Sequence, residues 1–363
     1  MLTEERREAL RRLVERRGSI KVKDVAEEMG VSAVTVRQDV RELAGRGLVV
    51  RVHGGAMSPT AAEAADVAAP AVPRPVTRQG DAFGLIVPPG GYYYPEIIRG
   101  VQDAARTHGV RVVLAVSGET LADNQEQVRR LIAAGVDGLL LMPRAGLEPV
   151  DLAEEWLAGL EIPVVLVDRR AGTQAGRLEQ VASDHAHGAG LAVRHLAGLG
   201  HERIALTARV ESPNTPLIRE GYAAACQALG LVAGPEFGID PTDTHASAEW
   251  FEGLARAVEA GEVRAALVHN DLDAVALVGL LQARGLRVPE DLAIVTYDDE
   301  VAELSDVPLT AVAPPKRAVG EWAVDLMRRR LADPTAPLAE LLLRPELRVR
   351  DSSGASSAAG GRV

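Results

Sequence analysis

Cysteine is nearly absent from this chain of 363 residues, which contains only Cys226. A single cysteine excludes an intrachain disulfide and any cysteine-based zinc cluster. Because Cys226 lies in an apolar helical pattern, we expect it to be a small buried hydrophobic residue. The sequence also lacks an apolar run long enough to cross a bilayer, and it has no N-terminal segment typical of a signal peptide. The protein is therefore expected to remain in the cytoplasm.

Catalytic signatures are missing as well. The glycine-rich run Pro89-Gly90-Gly91 lacks the lysine and the spacing of a phosphate-binding loop, and no Ser-His-Asp arrangement occurs in a motif context. His185 and His187 form a His-X-His pair, but no third metal ligand accompanies them. We therefore expect neither an enzyme nor a bound metal or cofactor.

The chain does contain a basic N-terminal segment. Residues 1–57 carry 12 Lys and Arg against 9 Asp and Glu, whereas residues 58–363 carry 28 against 42. The acidic bulk would repel a duplex, so affinity for DNA has to come from a local basic face. Four arginines of the first helix could reach phosphates, although such a run is more often a solvated face: Arg6, Arg7, Arg11 and Arg12.

The segment after Gly30 predicts a recognition helix. Gly30 suits a tight turn between helices, and Ser32 can cap the helix that follows. The helical spacing directs Val34, Val40 and Leu43 inward. Arginine can pair with guanine and glutamine with adenine, and threonine can meet a base or a phosphate. Four positions of the helix are thus suited to a DNA groove: Thr35, Arg37, Gln38 and Arg41.

A predicted hairpin completes this segment, because Leu48–Val52 is strand-like and His53–Gly55 is a turn. Together with a first helix predicted over 4–17, this order resembles the DeoR-type winged helix-turn-helix, as does the phrase RVHGGA at 51–56. The resemblance covers residues 3–57. It implies DNA contacts from Ser32, the four polar residues of the recognition helix, Arg51 and His53. The alternative is a three-helix module that binds protein.

Two segments are predicted to be linkers or tails. Residues 58–80 contain seven Ala and four Pro and almost no large apolar residue, so they cannot bury enough surface to fold. Residues 351–363 have the same character and are expected to form a flexible tail. The predicted domains are thus a DNA-binding head at 1–57, a linker at 58–80 and a body at 81–350.

The body alternates short β-branched runs with amphipathic helices, which predicts parallel sheets covered by helices on both faces. Seven strands exceed one small sheet, so we expect an α/β fold with two doubly wound lobes and a ligand cleft between them. The predicted strands are Phe83–Val87, Val110–Ala115, Gly138–Met142, Val164–Val167, Arg203–Thr207, Ala265–Val268 and Leu292–Thr296. The predicted helices are Pro95–His108, Asn124–Ala134, Ala186–Leu199, Pro216–Leu229, Ala246–Ala260, Asp271–Arg284 and Arg317–Leu331.

Several phrases of the body resemble LacI-type regulators in content and order. They include GVDGLLLMP from Gly135, IPVVLVDRR from Ile162, HLAGLGHERIAL from His195, LVHND from Leu267 and RVPEDLAIVTYDDE from Arg287. The resemblance covers nearly all of residues 82–350. It implies a core like that of periplasmic sugar-binding proteins, a small and usually carbohydrate effector held between the lobes, and pairing as a dimer.

Polar residues at the predicted strand ends are candidate effector ligands. Asp168 and Arg169 follow the strand Val164–Val167 and offer an acceptor beside a forked donor, which suits a polyol. The resemblance implies effector contacts for Arg219, Asn270 and Asp298 as well. For each residue the alternative is an interlobe or capping contact. The arginines leave an anionic effector open.

A run of three tyrosines, Tyr92-Tyr93-Tyr94, is unusual in a chain with five. It follows the first predicted strand, where the LacI family commonly has Asn-Pro and two aromatics that stack on a sugar. Tyr93 and Tyr94 match those aromatics and are predicted to contact the effector, with core packing as the alternative. Gly91 and Tyr92 replace the Asn-Pro pair, which removes an expected polar contact.

The head and the body together predict a homodimeric, possibly tetrameric, transcription regulator. It is expected to be a repressor that binds double-stranded operator DNA under the control of an effector. The alternative function is a solute-binding protein for carbohydrate uptake. Residues 58–80 are too rich in proline to form the hinge helix of LacI-type members, so the coupling between head and body stays open.

Overall fold

The computed structural model describes residues 3–17, 19–21, 25–26, 29–31, 33–45, 48–52, 55–57, 81–89, 92–118, 120–142, 156–169, 178–210, 212–240 and 244–355. The chain divides into two compact units, residues 1–77 and 78–363. The predicted linker at 58–80 lies outside the described residues. No helix in the described part combines the length and hydropathy that a bilayer crossing requires.

Among the described residues, the first unit contains two helices with defined bounds, helical residues at 25–26 and a three-stranded antiparallel sheet. The elements are α1 (Thr3–Arg17), β1 (Ser19–Lys21), α2 (Ala33–Gly45), β2 (Val50–Val52) and β3 (Gly55–Met57). The sheet order is β1-β3-β2. The predicted hairpin is therefore confirmed as β2 and β3, and β1 is an additional strand that pairs with β3.

The core of this unit forms where the apolar spacing predicts it. Leu10 and Val14 of α1 are buried against Val36, Val40 and Leu43 of α2. The side chain of Val34, predicted to point inward, lies outside the described residues. Val36 takes an inward position on the same helix, since it lies four residues before Val40.

Two arginines of α1 have a structural role that the sequence does not suggest. Nε of Arg6 donates to Oδ2 of Asp39 at 2.5 Å, and Nε of Arg7 donates to its Oδ1 at 3.1 Å. Asp39 lies on α2 with only 2 % of its surface exposed. The two arginines thus fasten α1 to α2 and are not a merely solvated face, while a contact of either with phosphate stays a prediction.

The N-lobe of the second unit is a six-stranded parallel sheet. Its elements are β4 (Ala82–Val87), α3 (Tyr94–Thr107), β5 (Arg111–Val116), α4 (Leu121–Ala133), β6 (Gly138–Leu141), β7 (Val164–Val167) and β8 (Glu179–Ser183). The strand order is β14-β8-β7-β6-β4-β5, where β14 (Glu340–Leu343) comes from the end of the chain. Strands β4, β6, β7 and β8 are completely buried, as parallel strands covered on both faces must be.

The C-lobe repeats this architecture. Its elements are α5 (His185–Gly198), β9 (Arg203–Arg209), α6 (Thr215–Leu229), β10 (Val232–Ile239), α7 (Thr244–Glu259), β11 (Ala265–His269), α8 (Asp271–Ala283), β12 (Ala293–Tyr297) and β13 (Thr310–Ala313). The order is β10-β9-β11-β12-β13-β15, with β15 (Glu346–Arg348) antiparallel at the edge. Cys226 is buried in this core as predicted, and burial raises the pKa of its thiol.

The chain crosses between the lobes three times. It passes from β8 to α5, from β13 to α9 (Lys316–Ala332) and from β14 to β15. Helix α9 packs against α3 in the N-lobe. Gly100 and Gly320 permit that packing, because a Cβ on Gly100 would lie 2.0 Å from the carbonyl oxygen of Arg317, and one on Gly320 would lie 2.1 Å from that of Ile97.

The body ends later than the composition predicts. Residues Asp351–Ser353 form a 3₁₀ turn, and Ser352 is completely buried. Its hydroxyl donates to the carbonyl oxygen of Ile294 at 2.7 Å and accepts from the amide of Thr310 at 2.9 Å. The predicted tail from 351 was therefore wrong for its first residues, because serines that satisfy buried backbone groups are ordered without apolar burial.

Candidate functional site

The candidate site is a cleft between the two lobes at the carboxyl ends of the parallel strands. Loops after β4 and β7 line it from the N-lobe, and loops after β9, β11 and β12 line it from the C-lobe. Its volume is about 220 Å³, which suits a small ligand. The lining side chains are Tyr92, Tyr93, Tyr94, Arg169, Arg209, Ser212, Pro213, Asn214, His269, Asn270 and Asp298.

The N-lobe wall is held together by its own side chains. The hydroxyl of Tyr93 donates to Oδ1 of Asp168 at 3.3 Å, and Nη1 of Arg169 donates to its Oδ2 at 3.2 Å. Nη2 of Arg169 donates to the hydroxyl of Tyr94 at 2.9 Å. Burial raises the pKa of the Asp168 carboxyl to about 6, although Arg169 opposes that rise. Asp168 therefore orients Arg169 and Tyr93 from behind the cleft lining.

The C-lobe wall presents acceptors instead. Asn270 and Asp298 line the cleft and are buried, and Oδ1 of each accepts no hydrogen bond from any residue that the structure describes. Burial raises the pKa of the Asp298 carboxyl to about 7, against the lowering effect of the Lys316 charge. Buried acceptors without donors cost free energy unless a partner satisfies them. This wall is thus arranged to receive donors.

The aspartates at the ends of β7 and β12 share an uncommon backbone conformation. Asp168 has φ of 55° and Asp298 has φ of 82°, both in the left-handed region that residues other than glycine rarely adopt. Residues held in such conformations concentrate at ligand sites, where the surrounding structure compensates for the strain. Both lobes therefore aim an aspartate by the same backbone device.

Arg209 lines the cleft and was missed by the sequence prediction. Its Nε donates to Oδ2 of Asp273 at 2.6 Å and its Nη2 donates to Oδ1 at 3.0 Å, a bidentate pair. The predicted strand ended at Thr207, whereas β9 continues to Arg209. Extending that strand by two residues would have placed the arginine at the strand end, where ligands bind in such sheets.

Arg219 does not reach the cleft. It lies on α6 with 44 % of its side chain exposed, ion-paired with Glu236. Its neighbour Ile218 is completely buried. Because successive helical residues point about 100° apart, Arg219 faces away from the core. The prediction that it contacts the effector was wrong for this reason.

Among the described residues, the three cations at or beside the cleft are each paired with a carboxylate of the protein. Arg169 pairs with Asp168 and Arg209 with Asp273, while Lys316 pairs with Glu300. Asp298 adds a further carboxyl whose Oδ1 has no donor within the described residues. The described part of the wall therefore holds no cation without a carboxylate partner.

Comparison with known proteins agrees with both units. A DeoR-like helix-turn-helix domain matches residues 6–62, and a periplasmic binding protein-like domain matches residues 193–353. The transcriptional regulator CelR of Thermobifida fusca is 31 % identical over 332 residues, which cover 85 % of this chain and 94 % of CelR. The transcriptional repressor PurR of Vibrio vulnificus is 28 % identical over 346 residues, covering 91 % of this chain and 98 % of PurR.

Solved structures give the same result. A LacI family transcriptional regulator from Mycobacterium smegmatis is 30 % identical, with a TM-score of 0.61, over 74 % of this chain and 98 % of that one. The chain belongs to the LacI family of transcriptional regulators. A complex of CelR with cellobiose is 27 % identical, with a TM-score of 0.64, over 92 % of this chain and 99 % of CelR.

Two of the predicted DNA-contacting side chains in the head of this LacI-family regulator lie among the described residues. Gln38 lies exposed on α2 and Thr35 is partly exposed, away from the buried positions of Val36 and Val40. Arg37 and Arg41 lie on α2 and Arg51 on β2, but their side chains fall outside the described residues. Those of Ser32 and His53 fall outside them too.

His185, at the first lobe crossing of this LacI-family regulator, is a buried packing residue. Nδ1 of His185 lies 3.3 Å from the hydroxyl of Tyr297, and burial lowers the pKa of His185 to about 3. Oδ1 of Asp184 accepts from the amide of His187 at 2.9 Å and thereby caps α5. Among the described residues, no group of three His, Cys, Asp or Glu could hold a metal ion.

Proposed function

We propose that this LacI-family regulator is a repressor whose operator binding is controlled by a neutral carbohydrate held between the lobes. The observation that carries the proposal is the pair of buried acceptors, Oδ1 of Asn270 and Oδ1 of Asp298, in the cleft wall. A sugar offers adjacent hydroxyl donors to such oxygens. Tyr93 and Tyr94 on the opposite wall supply aromatic surface for the apolar face of a ring.

The charges of the cleft favour an effector without phosphate or carboxylate. Arg169 is ion-paired with Asp168 and Arg209 with Asp273. A negative group of the effector would therefore have to compete with a carboxylate of the protein for either arginine. A buried charge is stable only when it is paired. The CelR relative forms a complex with cellobiose, which is a neutral sugar, and this supports the same ligand class here.

We propose further that the regulator acts as a homodimer whose two heads bind two operator half-sites through Ser32, Thr35, Arg37, Gln38, Arg41, Arg51 and His53. Symmetric dimers match operators of two half-sites in the groove geometry of helix-turn-helix proteins. The edge strand β5 supports the dimer proposal, because its apolar side chains Leu114 and Val116 are each 51 % exposed in the single chain and a second copy would cover them. We propose binding as the function of the cleft, without catalysis.

The test is a titration of the full chain with neutral sugars, sugar phosphates and sugar acids, read by thermal shift. We expect a neutral sugar to raise the melting temperature and to release the protein from an operator selected from random duplexes. Asp298→Ala should weaken that response while operator binding is kept, and Arg219→Ala should retain it. A response only to phosphorylated or acidic sugars would contradict the ligand class, and an effector that strengthens operator binding would contradict repression relieved by effector.

A further inference from the structure

Two side chains bridge the lobes beside the cleft. Tyr92 extends from the loop after β4 in the N-lobe, and its hydroxyl donates to Oδ1 of Asp271, the first residue of α8 in the C-lobe. Lys316 at the start of α9 donates to the carbonyl oxygen of Asp298 and pairs with Glu300. Lys316 lies directly after a chain crossing, whereas Tyr92 reaches across the open side of the cleft.

Asp271 is fixed within the C-lobe before Tyr92 meets it. Its Oδ2 accepts from three consecutive backbone amides, those of Glu300 at 2.6 Å, Val301 at 2.7 Å and Ala302 at 3.1 Å. The residue has no exposed surface. Three amides therefore set the orientation of the carboxylate, and Oδ1 is presented to Tyr92 at a defined point.

The same carboxylate also organises the loop that carries Asp298. Residues 298–302 follow β12. The amides of the last three of them donate to Asp271 and so hold the segment in which Asp298 keeps its left-handed conformation. Tyr92 thus joins the N-lobe to the residue that shapes the acceptor wall of the C-lobe. The other two tyrosines of the run have no such reach, since Tyr93 bonds Asp168 and Tyr94 bonds Arg169, both in the N-lobe.

We propose that Tyr92 is a positioning residue that fastens the two lobes in the closed cleft through Asp271 and thereby assembles the effector site. This inference rests on the proposed function, because it assigns a part of the same cleft. Tyr92 lies at a position where the chain departs from the Asn-Pro of the family. A hydrogen bond from a neutral donor to a buried carboxylate has the strength to bias an equilibrium between open and closed lobes by roughly tenfold.

The test measures the distance between the lobes without any effector. Spin labels are placed on Ala122→Cys at the start of α4 and Glu220→Cys in α6, both exposed sites, in a Cys226→Ala background. Labelled protein is diluted into unlabelled protein so that each pair lies in one chain. Tyr92→Phe removes only the hydroxyl. It should raise the ratio of chains with long to chains with short interlobe distances by roughly tenfold relative to the parent.

Tyr94→Phe is the matched control, because it removes a hydroxyl of the same loop whose bond stays within the N-lobe. Its distance distribution should match the parent. Equal distributions in Tyr92→Phe and the parent would overturn the proposal, and so would an equal shift in both variants. Since no effector enters the measurement, this outcome is independent of whether a neutral sugar binds.

Discussion

The aspartates that end β7 and β12 occupy corresponding places in the two lobes, yet their surroundings differ. Both are buried, and both have a left-handed backbone. Asp168 is engaged by Tyr93 and Arg169 of its own lobe, whereas Oδ1 of Asp298 meets no donor among the described residues. The strand end alone therefore does not decide the role of an aspartate. The neighbouring donors decide whether its carboxylate is already engaged within the wall.

The largest expected difference between the two is in stability. Asp168→Ala removes the buried carboxylate that accepts from Arg169 and Tyr93, while Arg169 keeps its bonds to the backbone carbonyl of residue 168 and to Tyr94. Removing one member of a buried pair costs about 3–5 kcal/mol, so the free energy of unfolding in urea should fall by that amount. Asp298→Ala should cost much less. An equal loss of unfolding free energy in the two variants would show that Asp168 and Asp298 do not differ in their contribution to stability.

The effector response should show the reverse order. Asp298→Ala removes an acceptor for a ligand hydroxyl, and loss of one such hydrogen bond weakens affinity by roughly 10-fold. Isothermal titration with the neutral sugar found in the thermal screen measures this loss. Glu236→Ala, a surface substitution outside the cleft, is the control and should keep parental affinity. A parental affinity in Asp298→Ala would remove the acceptor role.

The pH dependence of stability separates the two carboxyls further. Burial raises the pKa of Asp298 to about 7 and that of Asp168 to about 6, from 3.8. The folded state therefore keeps protons that the unfolded chain releases, so each contribution is present below pH 4 and is lost as pH rises to the folded pKa. The stability of the parent relative to Asp298→Asn should fall up to about pH 7. Relative to Asp168→Asn it should fall only up to about pH 6.

Urea unfolding at intervals from pH 4 to 8 measures both differences. The comparison with each Asn variant cancels the opposite contribution of His185 and His269, whose pKa values burial lowers to about 3 and 4. A difference that grows with pH would contradict the direction of the shift.

The smallest expected effect concerns the two arginines. Arg219→Ala breaks an exposed pair with Glu236, which is worth about 0.2–1 kcal/mol. Arg209→Ala leaves Asp273 without its bidentate partner and opens the C-lobe wall. Thermal melts with and without the sugar should show a change in ligand response for Arg209→Ala alone. If Arg219→Ala lost the thermal shift on adding the sugar, Arg219 would have to be a residue of the effector site.

Most of the fold could be predicted, because buried parallel strands are short apolar runs. All seven predicted strands and seven predicted helices of the body are present. Of the strands that were missed, β8 and β10 lack that pattern, whereas β13 has the short, buried, largely apolar sequence TAVA and was missed all the same. Strand β8 has the sequence EQVAS and is completely buried because its Gln180 and Glu179 find partners, and β10 is a largely exposed edge strand. Polar or edge strands are defined by pairing, which the chain pattern does not reveal.

The site could be predicted in part. Tyr93, Tyr94, Arg169, Asn270 and Asp298 all line one cleft, as their places at strand ends indicate. Two errors came from misplacing a residue by one or two positions. Arg219 lies one position after the buried Ile218 of α6 and is therefore on the surface. Strand β9 is two residues longer than predicted, and its last residue, Arg209, lines the cleft. Tyr92 was noted only as a departure from the family, since its partner Asp271 is 179 residues away.

The three chain crossings between the lobes have a consequence for biosynthesis. Strand β14 and helix α9 belong to the N-lobe but follow nearly all of the C-lobe in the chain. During synthesis from the N-terminus, the N-lobe therefore stays incomplete until residue 343 has emerged, while the head is finished after about residue 57. Domains generally fold as units in the order of their synthesis. A nascent chain thus acquires its DNA-binding unit hundreds of residues before it can sense anything.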